Sequence, residues 1–201
     1  MKFYDLQRTI KGAYFTINNL RLRGVKIYPY QLSLWAKNGK LKRLKRGIYY
    51  FPEKKEEIKP EEIAVLIYEP SYISTESALS HYSLIPDKVF SITSVATKPT
   101  RRFSNDFGQF IYQQIKPELF FGYNAIETQE GKYLLAEPEK AVLDYFYLHL
   151  GQIDNIDDIK ELRFNYRELK NIISLKRLRQ YLKVFAIAKL ERVINLLLQQ
   201  C

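Results

Sequence analysis

At 201 residues, 46% hydrophobic and 14% aromatic, the chain has material for one large packed domain or two small ones, which excludes a disordered polymer. Its net charge of +10 is confined to one end: residues 1–52 hold 12 Lys/Arg against a single acid, Asp5, whereas residues 53–201 hold 20 Lys/Arg against 21 Asp/Glu. That asymmetry points to an anionic partner for the first segment, and Cys201, the only cysteine, excludes a disulfide framework and a CxxC metal site.

In chain order, Phe3, Leu6 and Ile10 recur at helical spacing before Lys11-Gly12, so residues 2–10 read as a first helix. Thr16 suits the N-cap of a second, over residues 17–23, which Gly24 ends. Pro29 suits the first position of a third, running to Asn38 with Gly39 as its stop. Residues 41–44 and 48–51 then flank Lys45-Arg46-Gly47, the composition of a hairpin whose glycine takes a positive φ, although the Leu41/Leu44 spacing is not clean strand alternation.

Three helices and a basic-tipped hairpin within residues 1–52 is the order of a winged helix-turn-helix DNA-binding domain. In the third helix Leu32, Trp35 and Ala36 form an inward stripe, and the recognition set is Tyr30, Gln31, Ser33, Leu34 and Lys37. In a major groove Gln31 would offer a bidentate amide to adenine, and Lys37 a donor to guanine or phosphate. Lys40, Lys42, Arg43, Lys45 and Arg46 would lie along phosphates as the wing; the plain alternative is a solvated charged hairpin.

Residues 53–60 are charged, proline-bounded and without core residues, and read as a linker. Residues 61–201 read as a mixed α/β domain ending in helices, so the fold class expected of the whole is α+β. Residues 61–68 are a predicted helix, and Ser74 caps another with Glu76 in its first turn and Ala78, Leu79 and Tyr82 buried. VFSITSVAT, GQFIYQQI, LFFGYNAIET and KYLLAE read as strands, with turns at NDFG and QEGK. Pro138 opens the helix EKAVLDYFYLHL, with Glu139 favoured by the dipole of its first turn. After an acidic connection at 151–161 the chain is helical, including one long helix over residues 174–199 striped with Leu178, Leu182, Phe185, Leu190, Val193, Ile194 and Leu197.

The stretches NGKLKRLKRGIYYF, SYISTESALSHYSLIPDKVFSITSVATKPTRRF, FFGY and AEPEKAVLDYFYL, in that order over roughly residues 13–150, resemble the AbiEi family of bacterial antitoxins. The resemblance implies a cytosolic protein whose N-terminal winged helix binds inverted repeats in its own double-stranded promoter DNA and represses the operon. It further implies a C-terminal region that counteracts a nucleotidyltransferase-like toxin, in many accounts without stable protein contact. It places the recognition helix at residues 29–38 and the wing at 42–47. Under it Lys98, Arg101 and Arg102 of ATKPTRRF become a second functional basic patch, on DNA or on the toxin's RNA target; otherwise they are a solvated strand end. A homodimer reading two half-sites is compatible with this.

Other chemistries are weaker. Asp106 with Glu130-Gly131-Lys132 has the D…ExK spacing of a metal-dependent nuclease, but QEGK is also an ordinary hairpin turn. Ser77 and His81 lie one helical turn apart with no oxyanion motif or third member, so His81 reads as a partly buried histidine; His149 sits at a helix end, where an imidazolium suits the dipole. Lys176, Arg177, Arg179 and Lys183 form a solvated helix face or an extension of the DNA footprint. With no Gly-rich phosphate loop, HExxH or paired Cys/His set, neither a cofactor nor an enzymatic activity is expected. A winged-helix regulator sensing a ligand in residues 61–150 is the remaining reading. With no secretory h-region and no apolar run of 18 residues, the expected place is the cytoplasm, with no membrane partner.

Overall fold

Thr16, as its position suggests, starts a helix: its hydroxyl accepts the Asn19 N–H at 3.0 Å. In the computed structural model, which describes residues 1–86, 90–153 and 155–200, this is α2 (Ile17–Leu22), preceded by α1 (Phe3–Thr9) and β1 (Tyr14–Thr16). Helix α3 (Pro29–Lys37) and a hairpin of β2 (Lys42–Lys45) and β3 (Ile48–Tyr50) follow, with Gly39 and Gly47 at φ of +70° and +85° where the two turns require it. A register shift between Arg43 and Lys45 accommodates the irregular Leu41/Leu44 spacing as a bulge. Strand β1, three residues long and too short to show alternation, pairs antiparallel with β3, so the sheet order is β1-β3-β2.

The uncharged run after Gly47 is buried on both sides. Tyr49 and Phe51 pack with Leu6, Leu20, Leu32 and Trp35, between the sheet and the first three helices. Ile48 and Tyr50 point the other way and join a larger core that includes Ile63, Ile67 and Phe110. The segment expected to be a linker is packed against both. Pro52–Glu57 forms a 3-10 helix, the Gln7 amide donates to Glu53 at 2.9 Å, and Ile58 is buried in the larger core. One apolar residue in a charged run sets no period, which is why the sequence hid it.

The remainder is built on a six-stranded mixed sheet, order β6-β7-β5-β4-β9-β8. Its strands are β4 (Ser71–Ile73), β5 (Ser91–Ala96), β6 (Arg101–Asn105), β7 (Gly108–Gln114), β8 (Tyr123–Glu127) and β9 (Lys132–Ala136). Val89, the first residue of the expected VFSITSVAT strand, lies outside the described residues. Helices α4 (Pro60–Ile67), α5 (Thr75–His81) and α6 (Pro138–His149) flank the sheet. Tyr112 of β7 donates its hydroxyl to the Ala64 carbonyl of α4, whereas Tyr72 of β4 donates to Asp144 of α6 at 2.9 Å. Because the register sets Tyr72 beside Val95, and Tyr112 beside Ser94, those two tyrosines face opposite ways. Helix α4 therefore covers one face and α6 the other.

The chain finishes in α7 (Ile156–Glu161), α8 (Tyr166–Ile172), α9 (Leu175–Phe185) and α10 (Ala188–Leu198). The single long helix expected over 174–199 is broken at Ala186, which takes a left-handed conformation at φ 52°. A straight helix of that span would be about 39 Å long. Bending instead lets Leu178 and Phe185 of α9, and Leu190, Val193 and Leu197 of α10, all enter the same core.

Candidate nucleic-acid interface

Helix α3 buries Leu32 and Trp35 and presents Tyr30, Ser33, Leu34 and Lys37 to solvent. Tyr30 is 67% and Leu34 51% exposed, a large apolar presentation for so short a helix. Gln31 does not join them freely. Its Oε1 accepts the Tyr28 N–H at 3.1 Å and its Nε2 donates to the Met1 carbonyl at 2.8 Å. The amide expected to read adenine thus closes the first turn of its own helix and ties the chain start to it.

The five hairpin cations fall into distinct settings. Arg43 and Arg46 are exposed and make no ion pair among the described residues. Lys40 rides over the Phe3 ring at 5.3 Å. Lys42 donates to the Asp106 carboxylate at 2.8 Å, and the Tyr50 hydroxyl donates to the same oxygen at 2.6 Å. The hydrogen bonds from Lys42 and then Tyr50 hold the Asp106 carboxyl below its ordinary pKa, while burial first and Asp106 second push the Tyr50 hydroxyl up. The Phe107 ring meets Tyr50 edge-on at 5.1 Å, so the NDFG turn is docked onto the hairpin. Lys45 donates to the Ile67 carbonyl at 2.8 Å.

The second basic patch divides. Arg101 lies opposite Tyr112 and Arg102 opposite Ile111, so alternation along β6 sends them to opposite faces of the sheet. Arg101 stands on the α4 side with Lys45. Burial lowers the pKa of the Lys45 ammonium, and the charges of Lys98 and Arg101 lower it further.

The carboxylates of the nuclease pattern are engaged in packing. Asp106 holds the hairpin, and Glu130 accepts the Ala13 N–H ahead of β1. Gly131 of QEGK leaves room for the Tyr14 hydroxyl, which would lie 2.5 Å from an added Cβ. Among the described residues no group of three or more His, Cys, Asp or Glu could hold a metal. Ser77 Oγ accepts the Thr93 N–H at 2.8 Å and donates to the Ser91 carbonyl at 3.2 Å, which fastens α5 to β5. His81 is exposed, edge-on to Tyr82, rather than partly buried. His149 donates through Nδ1 to the Tyr145 carbonyl at 2.7 Å, with Glu76 3.8 Å from Nε2. Glu61, Ser77, His81 and Tyr133 line a cavity of about 250 Å³ between α4, α5 and β9.

The motifs of the second region meet in its interior. Lys140 and Asp144, one turn apart on α6, form an ion pair with both side chains fully buried. Asp144 also accepts the Tyr72 hydroxyl and the Ser74 hydroxyl, at 2.9 and 2.8 Å. Ser74 therefore precedes α5 without capping it through its side chain. The Lys140 ammonium lies 5.4, 5.1 and 5.1 Å from the rings of Tyr72, Phe121 and Phe185. Burial opposes both charges, lowering the lysine pKa and raising that of the aspartate. Arg177 pairs with Glu137 at 3.5 Å and Glu139 at 3.7 Å, leaving Lys176, Arg179 and Lys183 as the exposed cations expected on α9. Residues of ISTESALS, FFGY and EPEKAVLD thus serve one internal scaffold.

No protein-family model matches the chain, and no curated protein matches it. No helix among the described residues is long and apolar enough to cross a membrane.

Proposed function

We propose that this chain is the antitoxin of an AbiE-type toxin–antitoxin system, a cytoplasmic autorepressor that binds inverted repeats in its own promoter through an N-terminal winged helix-turn-helix. One observation carries the DNA-binding part. Arg43 and Arg46 stand exposed on the hairpin without acidic partners among the described residues, in the same small domain as an α3 whose Tyr30, Ser33, Leu34 and Lys37 face solvent. The element order α1-β1-α2-α3-β2-β3 and the sheet order β1-β3-β2 support it.

On a duplex the two arginines neutralise phosphates and release counterions, while α3 lies in the major groove. Tyr30 and Leu34 supply apolar contacts of the kind a thymine methyl accepts, and Lys37 a donor to guanine or phosphate. A homodimer would place two such helices on the two half-sites of an inverted repeat. Counteraction of a nucleotidyltransferase-like toxin rests on the order of the motifs from NGKLKRLKRGIYYF to AEPEKAVLDYFYL.

Fluorescence anisotropy on the chain's own upstream DNA and on scrambled DNA, across a salt series, tests the first half. The native protein should prefer its own DNA, and Arg43→Ala/Arg46→Ala should weaken both, with a salt slope shallower by about two. Absence of DNA binding by the native protein sinks the repressor reading. Expression of the neighbouring gene alone and with this one tests the second half: rescue of growth supports the antitoxin role, and an innocuous neighbour removes it.

A further inference from the structure

We propose that Lys45, Lys98 and Arg101 form a seat for a DNA backbone phosphate, placed where the hairpin meets the edge strand β6. The duplex footprint would then continue from the N-terminal domain onto the second region. This rests on the DNA-binding reading above and extends it to residues outside 1–52.

Two aromatic rings organise the seat. Tyr68 and Phe103 touch, with ring centroids 5.7 Å apart. The Lys45 ammonium lies 5.8 Å from the Tyr68 centroid and 5.4 Å from that of Phe103. Lys98 approaches Tyr68 at 5.9 Å and the Arg101 guanidinium approaches Phe103 at 6.0 Å. Three cations therefore surround one aromatic pair, each within cation–π range of a ring.

Their other contacts fix position without removing charge. Lys45 donates to the Ile67 carbonyl at the C-terminal end of α4, where the helix dipole is negative, and Lys98 donates to the Glu69 carbonyl just beyond that end. None of the three makes an ion pair among the described residues. Ring faces and carbonyls offset part of the mutual repulsion, but three positive charges converge and no carboxylate among the described residues pairs with any of them. Burial lowers the pKa of the Lys45 ammonium first, and the nearby charges of Lys98 and Arg101 lower it further.

An anion with several oxygens answers that arrangement. A phosphodiester accepts from two ammonium groups and an arginine fork together, and charge-assisted hydrogen bonds of this kind are about twice as strong as neutral ones. Lys45 belongs to the same hairpin as Arg43 and Arg46, so a backbone gripped by those arginines passes close to the seat. Arg102, the sequence neighbour of Arg101, faces away across the sheet and cannot take part. Its exclusion supplies the control.

Salt-dependent anisotropy on the upstream duplex decides the matter, with four proteins compared: native, Arg43→Ala/Arg46→Ala, Lys98→Ala/Arg101→Ala and Arg102→Ala. Thermal melts followed by circular dichroism check that all four are folded. The Lys98→Ala/Arg101→Ala protein should lose affinity on own and scrambled duplex alike, with a slope shallower by about two, while Arg102→Ala keeps the native slope. If the native protein binds and the hairpin variant weakens, yet Lys98→Ala/Arg101→Ala retains the native slope, the seat is wrong and the DNA-binding reading stands. An equal loss from Arg102→Ala would reduce the effect to net charge and likewise remove the seat. If the native protein binds no duplex, both readings fall. A slope change seen only on single-stranded RNA of the same sequence would assign the three cations to RNA and overturn the proposal.

Discussion

Lys42 and Arg43 are neighbours in β2, yet their charges are not equally available, because Asp106 accepts the Lys42 ammonium at 2.8 Å. Replacing Asp106 by Asn should release Lys42 to a phosphate and steepen the salt slope by about one, read by anisotropy as above. The same substitution weakens the hold of the NDFG turn on Tyr50, at a stability cost of roughly 1 kcal/mol. The pH dependence has a definite sign. Asp106 titrates below its ordinary value of about 3.9, so its contribution is present above that pH and is lost as pH falls through the lower folded value. Melting temperatures of the native and Asp106→Asn proteins should differ at pH 7 and converge in acid; a gap that persists below the carboxylate range would assign the difference to packing. Gln31 makes the complementary case. With both ends of its amide bonded inside the protein, Gln31→Ala should lower stability by about 0.5–2 kcal/mol and leave base preference unchanged, whereas a relaxed preference at one operator position would restore it as a reader.

Helix α6 was legible as an element, with Pro138 at its start and Glu139 in its first turn, but its decisive pair was not. Lys140 and Asp144 at i and i+4 are indistinguishable in sequence from a solvated surface pair. Only the sheet and α9 closing over them make the pair internal, and that closure depends on Tyr72, Phe121 and Phe185, each from a separate stretch of chain. Lys140→Met should leave a buried carboxylate uncompensated, at a cost of about 3–5 kcal/mol. Lys140→Met/Asp144→Asn, which keeps partners for the Tyr72 and Ser74 hydroxyls, should recover most of that. Chemical denaturation checks both, and a single variant as stable as the native protein would show the charge to be dispensable. The break at Ala186 was hidden for a related reason. FAIAK contains neither Gly nor Pro, and what bends the chain there is the shared core beneath α9 and α10.

At the scale of the whole molecule, the hairpin is as much part of the second region as of the first. Alternation along β3 and into Phe51 sends Tyr49 and Phe51 into one core and Ile48 and Tyr50 into the other, so one strand contributes to both. The charged run at 53–60 reads as a linker because charge density is visible in sequence while the docking of Ile58, Asp106 and Glu130 is not. A shared core predicts shared unfolding. Calorimetry of the full chain should give one transition with calorimetric and van't Hoff enthalpies equal, and Tyr50→Ala, which removes a ring 1% exposed, should lower that single transition rather than split it. Two separable transitions would instead mean that the regions melt independently. The functional consequence follows from the same geometry. If the regions unfold as one, then Arg43 and Arg46 on the hairpin and Lys98 and Arg101 beyond it hold a fixed spacing. A duplex that spans them must follow that spacing, so neutralising either pair should weaken every sequence by a similar factor.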